Sequence, residues 1–485
     1  MLKSHFFTRY YKNIDSSPVL KSGKWDNQEE VTMKLRKVFA VCSAIFMTTV
    51  SIAGCGGSGQ VSGGDSGTST DKPTAAGGKT EGKEEVITLN FMGWEASPLE
   101  TAAVEQGIAI FEKEHPNIKV NYTPGLAGNE YNAKLLASAA SNSMPDVMFM
   151  MSNAYRQFVS KGALLELTDK FSKDFPLDDF IDSSKTIMSI DGKVYGISSC
   201  TVSPILYYNK DVFDKAGLEY PSSDPSKSWT MEEFREVSRK LKTDGIYGCY
   251  GLETVANTLA AQIISNNGAI YSSDFKTSAM NSPEVKKVLE TIKAIRVEDG
   301  SAPDATTLEN VGMTAAQMLE TGKVAMLIDG SWALQELAAS GMNIGMAPLP
   351  SYGKVLTTGQ AHLHSISANT KYPDQAWEFV KFLSSLDYQG SLVNSGLWMP
   401  NRKSMYEPDM LEKWYNKDVH GEDYKNMLDY FKEAVVDPAA LQYSSKCSDI
   451  ITEETKLYFT DAQDIDTTLK NIEKRSNEAI KEALE

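Results

Sequence analysis

The sequence predicts an α/β protein with largely parallel sheets, and three observations carry that expectation. Short apolar runs that suit buried strands alternate with helical stretches from residue 86 to residue 485. Hydrophobic residues make up 41% and charged residues 23% of the 485, the balance of an ordinary soluble globular chain. That balance excludes a wholly disordered, collagen-like or polytopic membrane protein. The length fits about three domains, or two large ones with additions, at about 150 residues per domain. Acidic residues exceed basic ones, 64 against 48, for a net charge of −16. A phosphate backbone is gripped by clustered Lys and Arg, so no nucleic-acid partner is expected. Five cysteines in this length exclude a disulfide scaffold.

Residues 1–54 read as a signal region. Met33–Lys37 is a small basic patch, Val38–Val50 is mostly apolar, and Ser51–Cys55 closes the run with small residues. A membrane-spanning helix needs about 20 apolar residues. This run has roughly 13 to 17, with the basic front and small-residue exit of a secretory signal. Ile52-Ala53-Gly54-Cys55 resembles the bacterial lipobox. The resemblance implies that Cys55 receives a diacylglyceryl thioether and becomes the new N-terminus. Residues 1–32 carry nothing a signal needs, so Met33 is the expected true start, an unusually long leader being the alternative. Residues 55–85 form a tether: positions 56–85 hold 9 Gly, 4 Ser and 4 Thr. Such a segment buries too little apolar area to order itself and, as a flexible coil, reaches about 30 Å. Residues 1–54 hold 8 basic and 4 acidic residues, so the remainder carries −20. A body of that charge is held at a membrane by its anchor alone.

The body follows element by element. Val86–Met92 reads as a buried strand ending at Gly93-Trp94. A helix runs from about Leu99 to His115, and Pro116 stops it. Ile118–Tyr122 alternates like a strand, Tyr131–Ala140 is helical, and Asp146–Met150 is a second buried strand. Lys193–Ile197 and Ile205–Asn209 are strands. Thr230–Leu241 is a helix with Glu232 and Glu233 at its acidic start. Pro283 opens another helix. Val324–Ile328 is a strand ending at Asp329-Gly330-Ser331-Trp332. Pro373–Leu383 and Asp464–Leu484 are helices.

Seven runs in this order carry a resemblance: Phe111–Val120 (FEKEHPNIKV), Pro145–Val147 (PDV), Gly192–Ile197 (GKVYGI), Leu206–Phe213 (LYYNKDVF), Gly322–Met326 (GKVAM), Gly330–Trp332 (GSW) and Ile366–Asn369 (ISAN). With them, residues 86–485 resemble the extracellular solute-binding proteins of ABC importers, in the sugar-binding group that includes maltose-binding proteins. The resemblance implies a two-lobed, periplasmic-binding-protein-like fold of type II, with a hinge crossed three times and a ligand cleft between the lobes. The crossings are expected near 202–205, 359–364 and 403–410. The N-lobe is then 86–202 plus 365–404 and the C-lobe 203–360 plus 408–485. The implied function is capture of a mono- or oligosaccharide by lobe closure, a population shift, and delivery to ABC permease subunits. The implied state is a monomer lipid-anchored on the extracellular face of the membrane of a Gram-positive bacterium.

Sugars offer hydroxyls and apolar C–H faces, so their sites combine aromatic plates with polar edges. At strand ends, where open sheets place their ligands, the candidates are Trp94 and Glu95, Asn153 and Tyr155, Glu253 and Asn257, and Asp329 and Trp332. In the second crossing they are Gln360 and His362, and near the third Trp398 and Arg402. Relatives carry two glycines where this chain has Gly359-Gln360. Asp146, after proline, reads as a structural hydrogen-bonding residue.

Catalytic and metal motifs are lacking. No G-x-S-x-G elbow, H-E-x-x-H pair or Walker loop occurs. His362 and His364 alternate on one face without a third ligand nearby, so no metal or cofactor is expected. Cys200, Cys249 and Cys447 form at most one disulfide, buried thiols being the simpler reading. No cluster of Arg or Lys marks a phosphate site. Two other functions stay open: a sensor adaptor for a membrane kinase, and a lipid-anchored carbohydrate-active enzyme using a pair such as Glu95 and Glu253.

Overall fold

Apolar runs become strands where they can be covered on both faces. The computed structural model describes residues 86–94, 98–125, 129–253 and 256–485, all within the unit Gly82–Glu485. The signal region, Cys55 and the tether lie outside the described residues. Strand β1 (Ile87–Trp94) is followed by a helix at Pro98–Glu114, β2 (Ile118–Gly125), a helix at Asn129–Ala140 and β3 (Val147–Met150). β1 runs parallel to both β2 and β3, with Phe91 opposite Tyr122 and Val147. Asp146 ties the start of β3 to its surroundings. Its carboxylate accepts from the Asn90 amide at 2.9 Å and the Thr370 hydroxyl at 2.7 Å.

The expected strand Lys193–Ile197 is broken at Tyr195. β4 (Ser189–Ile190) and β5 (Lys193–Val194) form a hairpin, and β6 (Gly196–Val202) belongs to the large sheet. Asp191 and Gly192 make the two-residue hairpin turn with φ of 51° and 79°, the left-handed pair that such turns require.

β7 (Pro204–Asn209) opens a second, four-stranded sheet. It is completed by β8 (Tyr247–Tyr250), β9 (Val324–Gly330) and β10 (Ile344–Ala347) in the order β10-β7-β9-β8. The helix Met231–Leu241 packs against β8. Thr230 caps it in a reciprocal box with Glu233. β11 (Thr358–Ile366) and β12 (Val435–Val436) return to the first sheet, whose order is β12-β11-β3-β1-β2 with β6 also on β11.

Two expectations need correction. The sheets are mixed rather than largely parallel. β11 is antiparallel to β3 and β6, and β7 is antiparallel to β9 and β10. A chain that passes repeatedly between two sheets re-enters each from the opposite end. The first passage falls at Ser203, between β6 and β7. The second lies between Ala347 and Thr358 rather than at 359–364, because β11 is one continuous strand of the first sheet. Val435–Val436 also pairs there, so 408–485 is not confined to the second sheet, although its helix Lys417–Asn426 packs on β10 of that sheet.

Buried clusters hold both regions. One centres on Phe91, Phe111, Phe149 and Phe379 and continues to Leu327 and Leu334. The other joins Tyr208, Phe213, Phe234, Val288, Met326 and Ile472 under the second sheet. Cys200, Cys249 and Cys447 are buried and free. Burial pushes the Cys249 thiol up to about 12. Among the described residues no helix is long and apolar enough to cross a membrane.

Candidate functional site

Four rings follow one another along the first sheet near the carboxyl ends of β1 and β3. Trp94, the last residue of β1, is half-buried, with its ring 5.6 Å from Phe149 on β3. Phe149 meets His362 on β11 at 5.2 Å, and His362 meets Trp398 at 5.7 Å. Parallel pairing of β1 with β3 sets Trp94 near Phe149. Leu363 opposite Met150 sets His362 just past the end of β3. Burial pushes the His362 imidazole down to about 4, so it is neutral at pH 7.

Several of the buried polar atoms without partners lie on β11 and on the helices that precede and follow β3. Asn132 Oδ1, Asn153 Oδ1, Arg156 Nε and His362 Nδ1 are buried and find no hydrogen-bond partner among the described residues. Asn132 lies against Met151, its amide 3.2 Å from the sulfur. Asn153 is in the first turn of the helix Ser152–Ser160, directly after β3. Leaving a buried polar atom unpaired costs about 1–3 kcal/mol, and native structures leave few. A group of them beside half-buried aromatic faces suits a ligand that brings hydroxyls.

The second sheet offers a different edge. Asp329, Gly330, Ser331 and Trp332 end β9. An added Cβ on Gly330 would come within 2.2–2.4 Å of the Trp332 ring, so glycine there lets the half-buried indole lie on the backbone. The Ser331 amide donates to Ser203 O at 2.8 Å and the Tyr207 hydroxyl to Gly330 O at 3.2 Å. Trp332 is thereby fixed beside the first passage between the sheets. The Asp329 carboxylate accepts from the Gly330 amide at 2.7 Å. Burial, opposed by that bond and aided by Glu336, pushes its pKa up to about 6.

Several expected contacts belong elsewhere. Tyr155 is core: it is 1% exposed. Its hydroxyl donates to Met188 O and accepts from the Tyr195 amide, both at 2.9 Å. The helix Ser152–Ser160 buries Ala154, Tyr155 and Phe158, which turns Tyr155 inward. Arg402 holds Asp179 at 2.6 Å and lies over Phe175 and Phe180, away from the other candidates. Trp398 is 4% exposed and backs His362 rather than facing outward. Glu253 is bound to Arg296, whose guanidinium lies over Phe459. Gln360 donates to the buried Asp437. Glu95 and the side chain of Asn257 lie outside what is described. Among the described residues no group of three or more His, Cys, Asp or Glu could hold a metal ion.

Sequence reasoning missed Phe149, Arg156 and Tyr443. The guanidinium of Arg156 lies 4.5 Å from the centre of the Tyr443 ring. Spacing of Arg156 three residues after Asn153 was the available signal. Nothing in the sequence marks Tyr443 as its neighbour.

Comparisons with known proteins agree on one family. Residues 95–390 match the model for bacterial extracellular solute-binding proteins. A relative from Rhizobium meliloti, the sn-glycerol-3-phosphate-binding periplasmic protein, is 28% identical over 312 residues, covering 61% of this chain and 70% of its own. Among solved structures, an ABC substrate-binding protein from Listeria monocytogenes in complex with cycloalternan aligns with a TM-score of 0.71 at 23% identity. The alignment covers 82% of this chain and all of that one. A maltose-bound protein of T. maritima aligns at 0.66 and 20% identity, covering 80% and 99%. These two likenesses establish the fold: the two-sheet body is periplasmic-binding-protein-like.

Proposed function

The chain belongs to the bacterial extracellular solute-binding proteins, and from that premise we propose that it captures a carbohydrate and hands it to the permease of an ABC importer. The solute, a mono- or oligosaccharide, is held between the carboxyl ends of β1 and β3 on one side and the Asp329–Trp332 turn on the other. Trp94 and Trp332 are its apolar plates. Asn153 and His362 take its hydroxyls, and Asp329 stands at the opposite edge. The observation that carries the reading is the ring row Trp94–Phe149–His362 at the strand ends, with unpaired buried polar atoms on β11 and on the helix that follows β3. The ligands named for the relatives, maltose, cycloalternan and sn-glycerol 3-phosphate, are all rich in hydroxyls.

Catalysis is disfavoured by Glu253, whose carboxylate is neutralised by Arg296 and so is a poor half of an acid–base pair. Lipidation at Cys55 and the 55–85 tether hold the monomeric body at the outer face of the membrane. Purified protein is expected to show a thermal shift with one class of sugar and no turnover of it. A ligand at 100 times its dissociation constant adds about 2.7 kcal/mol. A flat response across mono- and oligosaccharides would contradict the reading. Cys55→Ala is expected to release the protein from the membrane fraction; retention there would contradict the anchor.

A further inference from the structure

Arg156 differs from the other half-buried arginines. Arg235, Arg402 and Arg475 each hold a carboxylate at 2.5–2.7 Å. Arg156 is 15% exposed, yet its nearest carboxylate oxygen, on Asp191, lies 3.7 Å away on a side chain 85% exposed. Such a pair is screened by water and contributes little. The Nε–H is buried and unpaired. The guanidinium is placed all the same, over Tyr443, which packs on the cluster under the second sheet. It therefore stands between a helix of the first sheet and a residue of the second region. Asn153, three positions earlier on the same helix, carries its own unpaired oxygen.

A guanidinium fixed by stacking, with a free Nε–H in a low-dielectric setting, is matched by an anionic oxygen pair, which it binds in its own plane. We propose that the solute carries an anionic oxygen group, a phosphate ester or a carboxylate, which docks on Arg156 while Asn153 accepts from a neighbouring hydroxyl. This rests on the solute-capture reading and narrows it to acidic polyols or acidic sugars. It also places a partly buried cation in a body whose net charge of −20 otherwise repels such ligands.

The test is calorimetric titration of the full-length chain and of Arg156→Gln with four probes: sn-glycerol 3-phosphate, D-glucuronate, glycerol and D-glucose. Circular dichroism checks that the variant folds. An acidic probe is expected to bind at least tenfold more tightly than its neutral counterpart, and Arg156→Gln to bring the two within twofold of each other. Preference for sn-glycerol 3-phosphate identifies a phosphate ester, and preference for glucuronate a carboxylate. Binding of neutral probes alone, or an acidic affinity unmoved by Arg156→Gln, overturns this inference and leaves solute capture standing. Binding of none of the four, or of neutral oligosaccharides such as maltose alone, also overturns it. Solute capture itself falls only if maltose too fails.

Discussion

The two edges of the candidate site are built on opposite principles. On the first sheet, polar atoms of Asn132, Asn153, Arg156 and His362 are buried and unpaired beside the Trp94–Phe149–His362 row. On the second, Glu253 is spent on Arg296, Asp329 on the Gly330 amide, and Ser331 on Ser203. The first edge sets unpaired polar atoms near an aromatic row; the second pairs its carboxylates and offers an indole face. The lesson is a division of labour. On the proposed reading, the first sheet supplies polar recognition and the second an apolar plate.

The largest effect is expected where the carboxylate pairing of the second edge is broken. Arg296→Leu strands the half-buried Glu253 carboxylate, and loss of one partner of a buried pair costs about 3–5 kcal/mol. Denaturant unfolding should show that loss with no change in ligand selectivity. A stability loss under 1 kcal/mol would mean that the second edge is not held by its own charges.

A second test concerns pH. His364 lies under the row, 3% exposed, and burial, with the neighbouring His362, pushes its imidazole down to about 3. Its folded pKa lies below the unfolded value near 6.5, so the unfolded chain binds the proton first as pH falls. Its contribution to stability is full above pH 6.5 and declines towards pH 4, by about 3 kcal/mol at pH 4; His362 and His420, both pushed down to about 4 by burial, decline over the same window. Asp329 works against this. Its raised pKa makes the folded state the better proton binder, so its contribution improves as pH falls from 6 to 4. His364→Gln should remove its share of the decline measured by thermal unfolding between pH 6.5 and 4. An unchanged slope would show that His364 is not the group responsible.

Legibility in the sequence followed the same divide. The apolar strands β1, β3 and β9 and the acidic start of the helix at Glu232 and Glu233 were readable, since local composition dictates them. The Trp332 turn was readable because Gly330 precedes a tryptophan at a strand end. β11 was not read as one strand, although its register with β3 and β6 is extended. A central strand is held by its neighbours, so its run of Gln, His and Ser shows no apolar alternation and passed for a hinge. Tyr155 misled because a tyrosine two residues after Asn153 gives no sign of which side of the helix faces the core. Arg402 misled because its partner, Asp179, lies 223 residues away in sequence.

The account turns on both edges holding one solute. The direct measurement is the affinity of Asn153→Ala and Trp332→Ala for whichever sugar shifts the wild-type protein, with unfolding free energies taken alongside. Asn153→Ala removes an unpaired buried oxygen, so stability should stay within about 0.5 kcal/mol while affinity falls about tenfold, the worth of a lost hydrogen bond. Trp332→Ala should cost about thirtyfold, as an aromatic anchor does. Wild-type affinity in either variant would contradict a site shared between the two sheets.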